Sequence, residues 1–471
     1  MSNVSEEKGY PMKDPSSPRL SIRLAVVLGA ALAVAVFLQR PQTVDAVPQA
    51  SADLSGTFNP YADNNGDRLP PGYSGPRYRL NHHYPTSAPP SPANPPWRQA
   101  LKGAPIGKGN AIAYVQALKD YIASDVKLLV NDYTKWDPFT VGWYDQPWIA
   151  PKLASWPGRE PIQGAYPGPG FEKTVYPDLK VPFIQDYVAV YYNNIAGYTL
   201  HQLWQSPNPY QPNPAGAQFQ EGAISIKLAM TTASGTDWAP MQGSTQSNVF
   251  VPPPTATSPT PPGVAPKIVP VYVMQLDIIV KDTKTAPKTG WVFSTLVYNK
   301  DAKGATTWDK MVPLGAMWGN DPGVNNNALQ ETVINPVAPA YAKITLGWGL
   351  RLSGPNDGAT NSLKPPVEPT RISSCMSCHG TAESPGGLSL VPFNATTKMF
   401  YTPGSPPWDQ WFQDRGGTAP QVPASHVALD YDMVSVQALT NWDAARGSAA
   451  ALDRAKGHLS MLRERGKRSA R

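Results

Sequence analysis

The sequence AISIKLAM, at residues 223–230, alternates large apolar side chains with small or polar ones. Successive side chains of an extended chain point to opposite faces, so Ile224, Ile226 and Leu228 share one face and Lys227 lies on the other. This period of two predicts a β-strand with one strongly apolar face.

Further strands are predicted on both sides of this segment. Aromatic and β-branched residues are concentrated in Tyr272–Val280 and Trp291–Tyr298, which we predict to pair, and in Ile344–Leu352. Tyr187–Tyr192 and Tyr198–Trp204 flank a short segment with Asn and Gly, and we predict that they form a hairpin.

Proline supplies 54 of the 471 residues, a density that helix interiors cannot accommodate. Two segments nevertheless have helical periodicity, Asn110–Asn131 and Val434–Arg465. The sequence therefore predicts a mainly β protein with some helix, of the α+β class.

Composition divides the chain into four parts. Residues 1–46 contain a signal peptide or an N-terminal membrane anchor, and residues 47–105 form a linker rich in proline. Residues 106–433 form the β-rich domain. Residues 434–471 form a basic helical tail.

The N-terminal part is identified by the apolar run Leu24–Leu38, which follows Lys13, Arg19 and Arg23. A helix of this length spans about 22 Å, less than the roughly 30 Å of a hydrocarbon core. That length is typical of a signal peptide, and an anchor in the inner membrane is the alternative. Both predict a periplasmic or otherwise extracytoplasmic location.

The formal net charge of +6 comes from the end of the chain, because Ala444–Arg471 holds eight basic and two acidic residues. A solvated tail is the simpler interpretation. Contact with an anionic membrane or an acidic redox partner is the alternative. We do not expect an exported protein of this kind to bind nucleic acid.

Both cysteines of the chain lie in the sequence CMSCH, residues 375–379. C-x-x-C-H is the attachment motif of a c-type haem. Two thiols three residues apart lie on one helical turn and can add to both vinyl groups of one porphyrin, and the histidine that follows can bind the iron. We predict one covalent haem c, attached through Cys375 and Cys378, with His379 as axial ligand.

Three other uses of these residues remain open. A thioredoxin-like redox pair would need a βαβ pattern nearby, and the preceding Leu363–Pro369 contains three prolines instead. A structural zinc site needs four ligands, and no second Cys/His pair lies at zinc spacing. A disulfide gives no reason for the adjacent His379.

The surroundings of the motif argue against the common helical cytochromes. A small helical cytochrome c needs a helix shortly before the motif, where the prolines lie. A four-helix bundle carries the motif near its end, whereas 92 residues follow His379. We therefore expect the haem to lie on a loop or short turn against a β-rich body.

The sixth iron position separates electron transfer from ligand chemistry. Met433, which lies 54 residues after His379, is the preferred candidate for this position. The other candidates are Met399, His426, Met317, His82 and His83.

The order Phe219–Lys227, Gly290–Phe293 and then the haem motif resembles that of the hydroxylamine-oxidising cytochromes with a lysine-cross-linked haem, which have β-sheet cytochrome c-prime relatives. The resemblance covers about Phe219–Thr381. It implies that Lys227 is tied to the porphyrin and that the distal site is open.

The whole chain is more similar to the large, exported, single-haem cytochrome c-domain proteins of bacteria. The similarity lies in Trp143–Trp148, Met317–Pro322 and Ser373–Glu383. It implies no particular reaction.

Three functions follow from these observations. The first is an exported monohaem cytochrome that transfers electrons to or from a redox partner protein. The second is a haem enzyme or gas-binding protein with an open distal site, which takes a small nitrogen oxide or a hydroxylamine-type substrate. The third is a structural β-protein whose haem tunes an interaction.

Overall fold

The computed structural model describes residues 75–445, except for 77, 148–164, 174, 205–211, 256–263, 354–370, 387, 395, 398 and 423. The predicted export segment, the prolines before the motif and most of the basic tail lie outside this part. Among the helices that it describes, none is long and apolar enough to cross a membrane.

Most strands of the described part belong to one antiparallel sheet. These strands are β1 (Tyr166–Glu172), β2 (Phe183–Tyr192), β3 (Ile224–Thr231), β4 (Gln246–Val251), β5 (Lys267–Lys281), β6 (Trp291–Tyr298), β7 (Met311–Met317) and β8 (Thr332–Ile334). Their order is β1-β2-β3-β5-β6-β7-β8, and β4 pairs with the first half of β5. The mainly β fold class is confirmed, and the fold is not a small helical one.

Short helices and two small strand pairs complete the structure. The α-helices are α1 (Pro96–Gln99), α2 (Ala111–Tyr121), α3 (Ala123–Asn131), α4 (Pro138–Val141), α5 (Asn194–Trp204), α6 (Ala340–Lys343), α7 (Cys375–His379), α8 (Pro406–Asp409) and α9 (Met433–Ala445). The 3₁₀ turns are Pro214–Gly216, Ala239–Met241 and Trp348–Leu350. The small pairs join β9 (Glu383–Ser384) to β12 (Val427–Ala428) and β10 (Phe393–Asn394) to β11 (Met399–Phe400).

The sheet separates two hydrophobic cores. Ile224, Ile226 and Leu228 of β3 face the first core, which α2 and α3 cover. Ala229 of the same strand faces the second core, where α5, α9 and Met376 of α7 pack. The predicted alternation of β3 is therefore confirmed, and Lys227 lies on the side of the sheet that carries the motif helix.

The strand pair Tyr272–Val280 and Trp291–Tyr298 is confirmed by β5 and β6. The hairpin was wrong, because Tyr198–Trp204 belongs to α5. Its buried residues recur at helical spacing, and the Asn193 side chain accepts a hydrogen bond from the Ala196 amide at 3.0 Å and so caps the helix. The aromatic residues of this segment favour a strand, but the spacing of its buried residues is that of a helix.

Ile344–Leu352 is also not a strand. It contains a 3₁₀ turn in which Gly349 has a φ of 61°, a left-handed conformation that interrupts an extended chain. The predicted helix Asn110–Asn131 exists as α2 and α3, which are separated at Ile122, and Asn110 makes no side-chain cap.

The described part of the predicted linker packs against the domain. Trp97 is fully buried, and the neighbouring Arg98 binds the carboxylate of Asp282 with a 2.8 Å contact from Nη2. Trp97 and Tyr114 of α2 donate to the other carboxylate oxygen at 3.2 and 2.8 Å. Asp282 directly follows β5, so this cluster fastens α1 and α2 to the end of the central strand.

Candidate haem site

The motif forms the five-residue helix α7. Ser374 begins it with a reciprocal capping box: its Oγ accepts from the Ser377 amide at 3.0 Å, and the Ser377 Oγ accepts from the Ser374 amide at 2.7 Å. The Cys375 amide also donates to the Leu352 carbonyl oxygen at 2.9 Å. These bonds fix the motif against the β-rich body on a short helix, and not on the predicted loop or short turn.

The two faces of α7 differ in burial. Met376 and Ser377 are fully buried against the body, whereas Cys375, Cys378 and His379 are each only partly buried. All three of these line one cavity. The two cysteines are not joined in a disulfide, and the Sγ of Cys378 lies 3.1 Å from the Leu390 carbonyl oxygen.

This cavity, which we call the haem cavity, lies between the second face of the sheet, α7 and α9. It contains about 1440 Å³ of empty space, including the part that opens to solvent. Apolar and aromatic side chains from three strands line it: Val188, Val190, Tyr192, Ile279, Trp291 and Phe293.

A hydrogen bond to the main chain orients the imidazole of His379. Its Nδ1 lies 2.7 Å from the main-chain carbonyl oxygen of Tyr431. A carbonyl oxygen can only accept, so Nδ1 carries the proton and the lone pair of Nε2 is free to bind a metal. The ring also packs edge-to-face on Phe293, with ring centroids 4.9 Å apart.

Burial lowers the pKa of His379 to about 4, although the bond to the Tyr431 carbonyl opposes this shift. The imidazole is therefore neutral at pH 7, as an iron ligand must be.

Tyr431 lies in a loop with an unusual backbone. Asp430 and Tyr431 have φ values of 48° and 67°, the left-handed region that residues other than glycine seldom adopt. Each such residue costs on the order of 1–3 kcal/mol, so the surrounding contacts must hold the loop in place.

Lys227 projects into the same cavity from β3. Its Nζ lies 2.8 Å from Oδ2 of Asp277, its direct partner across the β3–β5 ladder. The other oxygen of Asp277 accepts from Thr295 at 2.8 Å and from Gln275 at 2.7 Å. Burial alone would lower the pKa of Lys227, but the charge and hydrogen bond of Asp277 raise it above its usual value.

The structure thus brings together five residues singled out in the sequence: Cys375, Cys378, His379, Met433 and Lys227 all line the haem cavity. Met433 begins α9, and its Sδ lies 3.8 Å from the Thr381 hydroxyl oxygen. The segment from residue 434 to Ala445, predicted as the start of a basic helical tail, forms the rest of this helix, and its Trp442 is buried in the second core.

The other candidates for the sixth ligand do not line this cavity. Met399 is 64% exposed on β11, and Met317 is buried in the second core. His426 contacts Ser425 at the surface, and His83 packs on Phe139. His82 lies 3.5 Å from the carboxylate of Asp145.

Asp277 and Tyr431 were not predicted as site residues. A carboxylate at the centre of the apolar strand Tyr272–Val280 was the available signal for Asp277, because a buried charge needs a partner. Tyr431 contributes a main-chain oxygen, and the sequence carries no signal for that role.

A scan against protein-family models finds none that matches the chain, and searches of curated proteins and of solved structures likewise return no match. What this protein does is therefore proposed from its own residues.

The donor set fits haem c. Two thiols three residues apart and a neutral histidine, whose Nε2 lone pair can bind a metal, face a mainly apolar cavity. Cys375 and Cys378 would hold the porphyrin, and His379 would bind its iron. The bound group would supply one-electron chemistry.

Proposed function

We propose that this protein is an exported monohaem c-type cytochrome that acts in electron transfer. One observation carries the proposal. Cys375, Cys378 and His379 line one cavity, and Nδ1 of the His379 imidazole donates a hydrogen bond to the Tyr431 carbonyl oxygen. The N-terminal apolar run supports an extracytoplasmic location, where bacteria complete the covalent attachment of haem.

Electron transfer is favoured over ligand chemistry by the position of Met433. It is the one candidate for the sixth ligand that lines the haem cavity. A second strong axial ligand closes the iron to small molecules and leaves electron transfer as its function. The physiological redox partner would be another exported protein.

The ligand state of the iron tests this role. We expect absorbance and magnetic circular dichroism of the ferric and ferrous protein to show a six-coordinate low-spin haem that does not bind carbon monoxide readily. A five-coordinate high-spin haem that binds carbon monoxide or nitric oxide at once would contradict electron transfer and favour the open site.

Met433→Ala is expected to open the sixth position, since it removes the thioether sulfur from the cavity. The same spectra should then become high-spin, and carbon monoxide should bind. Met399→Ala is the matched control, because Met399 is 64% exposed and lies away from the cavity. Identical low-spin spectra for both variants would exclude Met433 as ligand.

A second function is favoured by the ion pair between Lys227 and Asp277. Removing two charges from water is costly, and such pairs inside a cavity often mark a functional site. The Lys227 side chain is 26% exposed, on the wall that faces the motif helix. This supports a haem enzyme or gas-binding protein in which Lys227 meets the porphyrin or a small ligand.

A proteolytic digest tests the cross-linked form of the second function. The electron-transfer proposal predicts that haem is covalently attached only to the peptide that contains Cys375 and Cys378. A cross-link would join that peptide to the one containing Lys227, so that both peptides would appear with the haem in a single covalent product. Denaturing mass spectrometry detects both products, and Lys227→Met provides the uncross-linked reference.

A further inference from the structure

The hydrogen bond behind His379 depends on the main chain of Tyr431, which is the second of two consecutive left-handed residues. This backbone needs an external restraint. The preceding residue, Asp430, supplies one, because its side chain is anchored in the sheet.

The carboxylate of Asp430 is 1% exposed and has donors on both oxygens. The Nζ of Lys281 lies 2.6 and 2.8 Å from Oδ1 and Oδ2. The indole of Trp291 donates to Oδ1 and the Phe219 amide donates to Oδ2, each at 2.8 Å. Gly417 lies directly on this carboxylate, and a Cβ at that position would have no room.

The two side-chain donors are rigidly placed. Lys281 ends β5 and Trp291 begins β6, and the two residues are direct partners in the antiparallel ladder. The Nζ of Lys281 also lies 5.0 Å from the centre of the Trp291 ring. Phe293, two residues further along β6, carries the edge-to-face contact with His379. The end of the β5–β6 ladder therefore contacts both the imidazole ring and the loop that supplies its hydrogen-bond acceptor.

We propose that Asp430, Lys281 and Trp291 are positioning residues that fix the Tyr431 carbonyl on Nδ1 of His379 and so set how strongly His379 donates electrons to the haem iron. This inference rests on the proposed covalent haem. A hydrogen bond from Nδ1–H to an acceptor makes the imidazole a more basic ligand. An imidazole that donates more electron density stabilises the ferric state of the haem. The contacts of Asp430 with Lys281 and Trp291, which we call the anchor, therefore keep the reduction potential of the haem low.

Two variants weaken the anchor without changing the net charge of the protein. Trp291→Phe removes one donor to Asp430 and keeps an aromatic ring. The double variant Lys281→Met/Asp430→Asn removes the ion pair as a neutral unit, so the total charge near the haem is unchanged. Lys300→Met/Asp301→Asn is the matched control, because it removes an exposed ion pair.

The direct readout is hydrogen exchange of the Nδ1 proton of His379 in ¹⁵N-histidine-labelled ferrous protein under carbon monoxide. That state is diamagnetic whether Met433 or carbon monoxide occupies the sixth position. Loss of a net hydrogen bond should speed this exchange about fivefold to tenfold in both anchor variants. The reduction potential should rise in the same two variants and stay constant in the control.

Unchanged exchange and an unchanged potential in haem-loaded Trp291→Phe would overturn the inference, even if the double variant fails to fold. A raised potential with unchanged exchange would also overturn it, because the effect would then not act through His379. Failure of the proposed function gives a different result: the wild-type protein would carry no haem on Cys375 and Cys378.

Discussion

The double variant Cys375→Ser/Cys378→Ser is expected to carry no covalent haem, and each single variant is expected to lose most of it. Thioether bonds need thiols, and a serine hydroxyl does not add to a vinyl group under these conditions. Both thiols lie on α7 and line the haem cavity. They belong to the only two cysteines of the sequence, so no other thiol can replace them. A haem-stained denaturing gel measures the loss.

Met376→Leu is the matched control for this experiment. Met376 lies between the two cysteines, is fully buried on the opposite face of α7 and tolerates an exchange of similar volume. This variant should keep its haem through denaturation. Haem that stays bound to the denatured double cysteine variant would refute attachment at the motif.

Asp282→Asn is expected to destabilise the protein by roughly 3–5 kcal/mol, the usual effect of breaking a buried ion pair. The carboxylate of Asp282 is fully buried and holds Arg98, Trp97 and Tyr114 against the end of β5. The amide would remove one of the two counter-charges of the Arg98 guanidinium and leave Glu221 as the other. Urea unfolding followed by tryptophan fluorescence measures the change in free energy of unfolding.

The effect of Asp282→Asn depends on pH in a defined direction. Burial alone would raise the pKa of Asp282, but the hydrogen bonds from Arg98, Thr285 and Tyr114 outweigh it and hold the pKa below its usual value. The stabilisation is therefore complete above the unfolded pKa of about 3.9 and is lost as the pH falls through the lower folded pKa.

The difference between wild type and Asp282→Asn should accordingly shrink below about pH 4. Lys127→Met serves as control, because its ion pair with Asp309 is partly exposed, with 48% of the lysine side chain accessible. It should unfold at the same urea concentration as the wild type. An equal loss in both variants would contradict the role assigned to Asp282.

Strand β3 and the candidate attachment motif were predictable from the sequence, because both are local patterns. The period of two at residues 223–230 identified β3 and the side of Lys227, and C-x-x-C-H identified α7 as the candidate attachment site. The prediction of a strand at residues 198–204 is wrong, because the aromatic residues favour a strand whereas the spacing of the buried residues of α5 favours a helix. Asn193 is typical of a turn as well as of a helix cap, and in the structure it caps α5.

The interactions that position His379 could not be predicted, because they join residues that lie far apart in the sequence. Lys281 and Trp291 meet Asp430 across 149 and 139 residues. Only the register of β5 and β6 puts the two donors side by side, and only the left-handed loop directs the Tyr431 carbonyl at His379. Neither feature leaves a motif in the sequence.

The most direct test of the central claim is mass spectrometry of a digest, under denaturing conditions, of the protein matured with bacterial cytochrome c assembly factors. We predict that the peptide containing residues 375–379 gains the mass of one haem and that neither Cys375 nor Cys378 can be alkylated. The same peptide without haem, with both thiols alkylated or joined in a disulfide, would contradict the assignment of this protein as a c-type cytochrome.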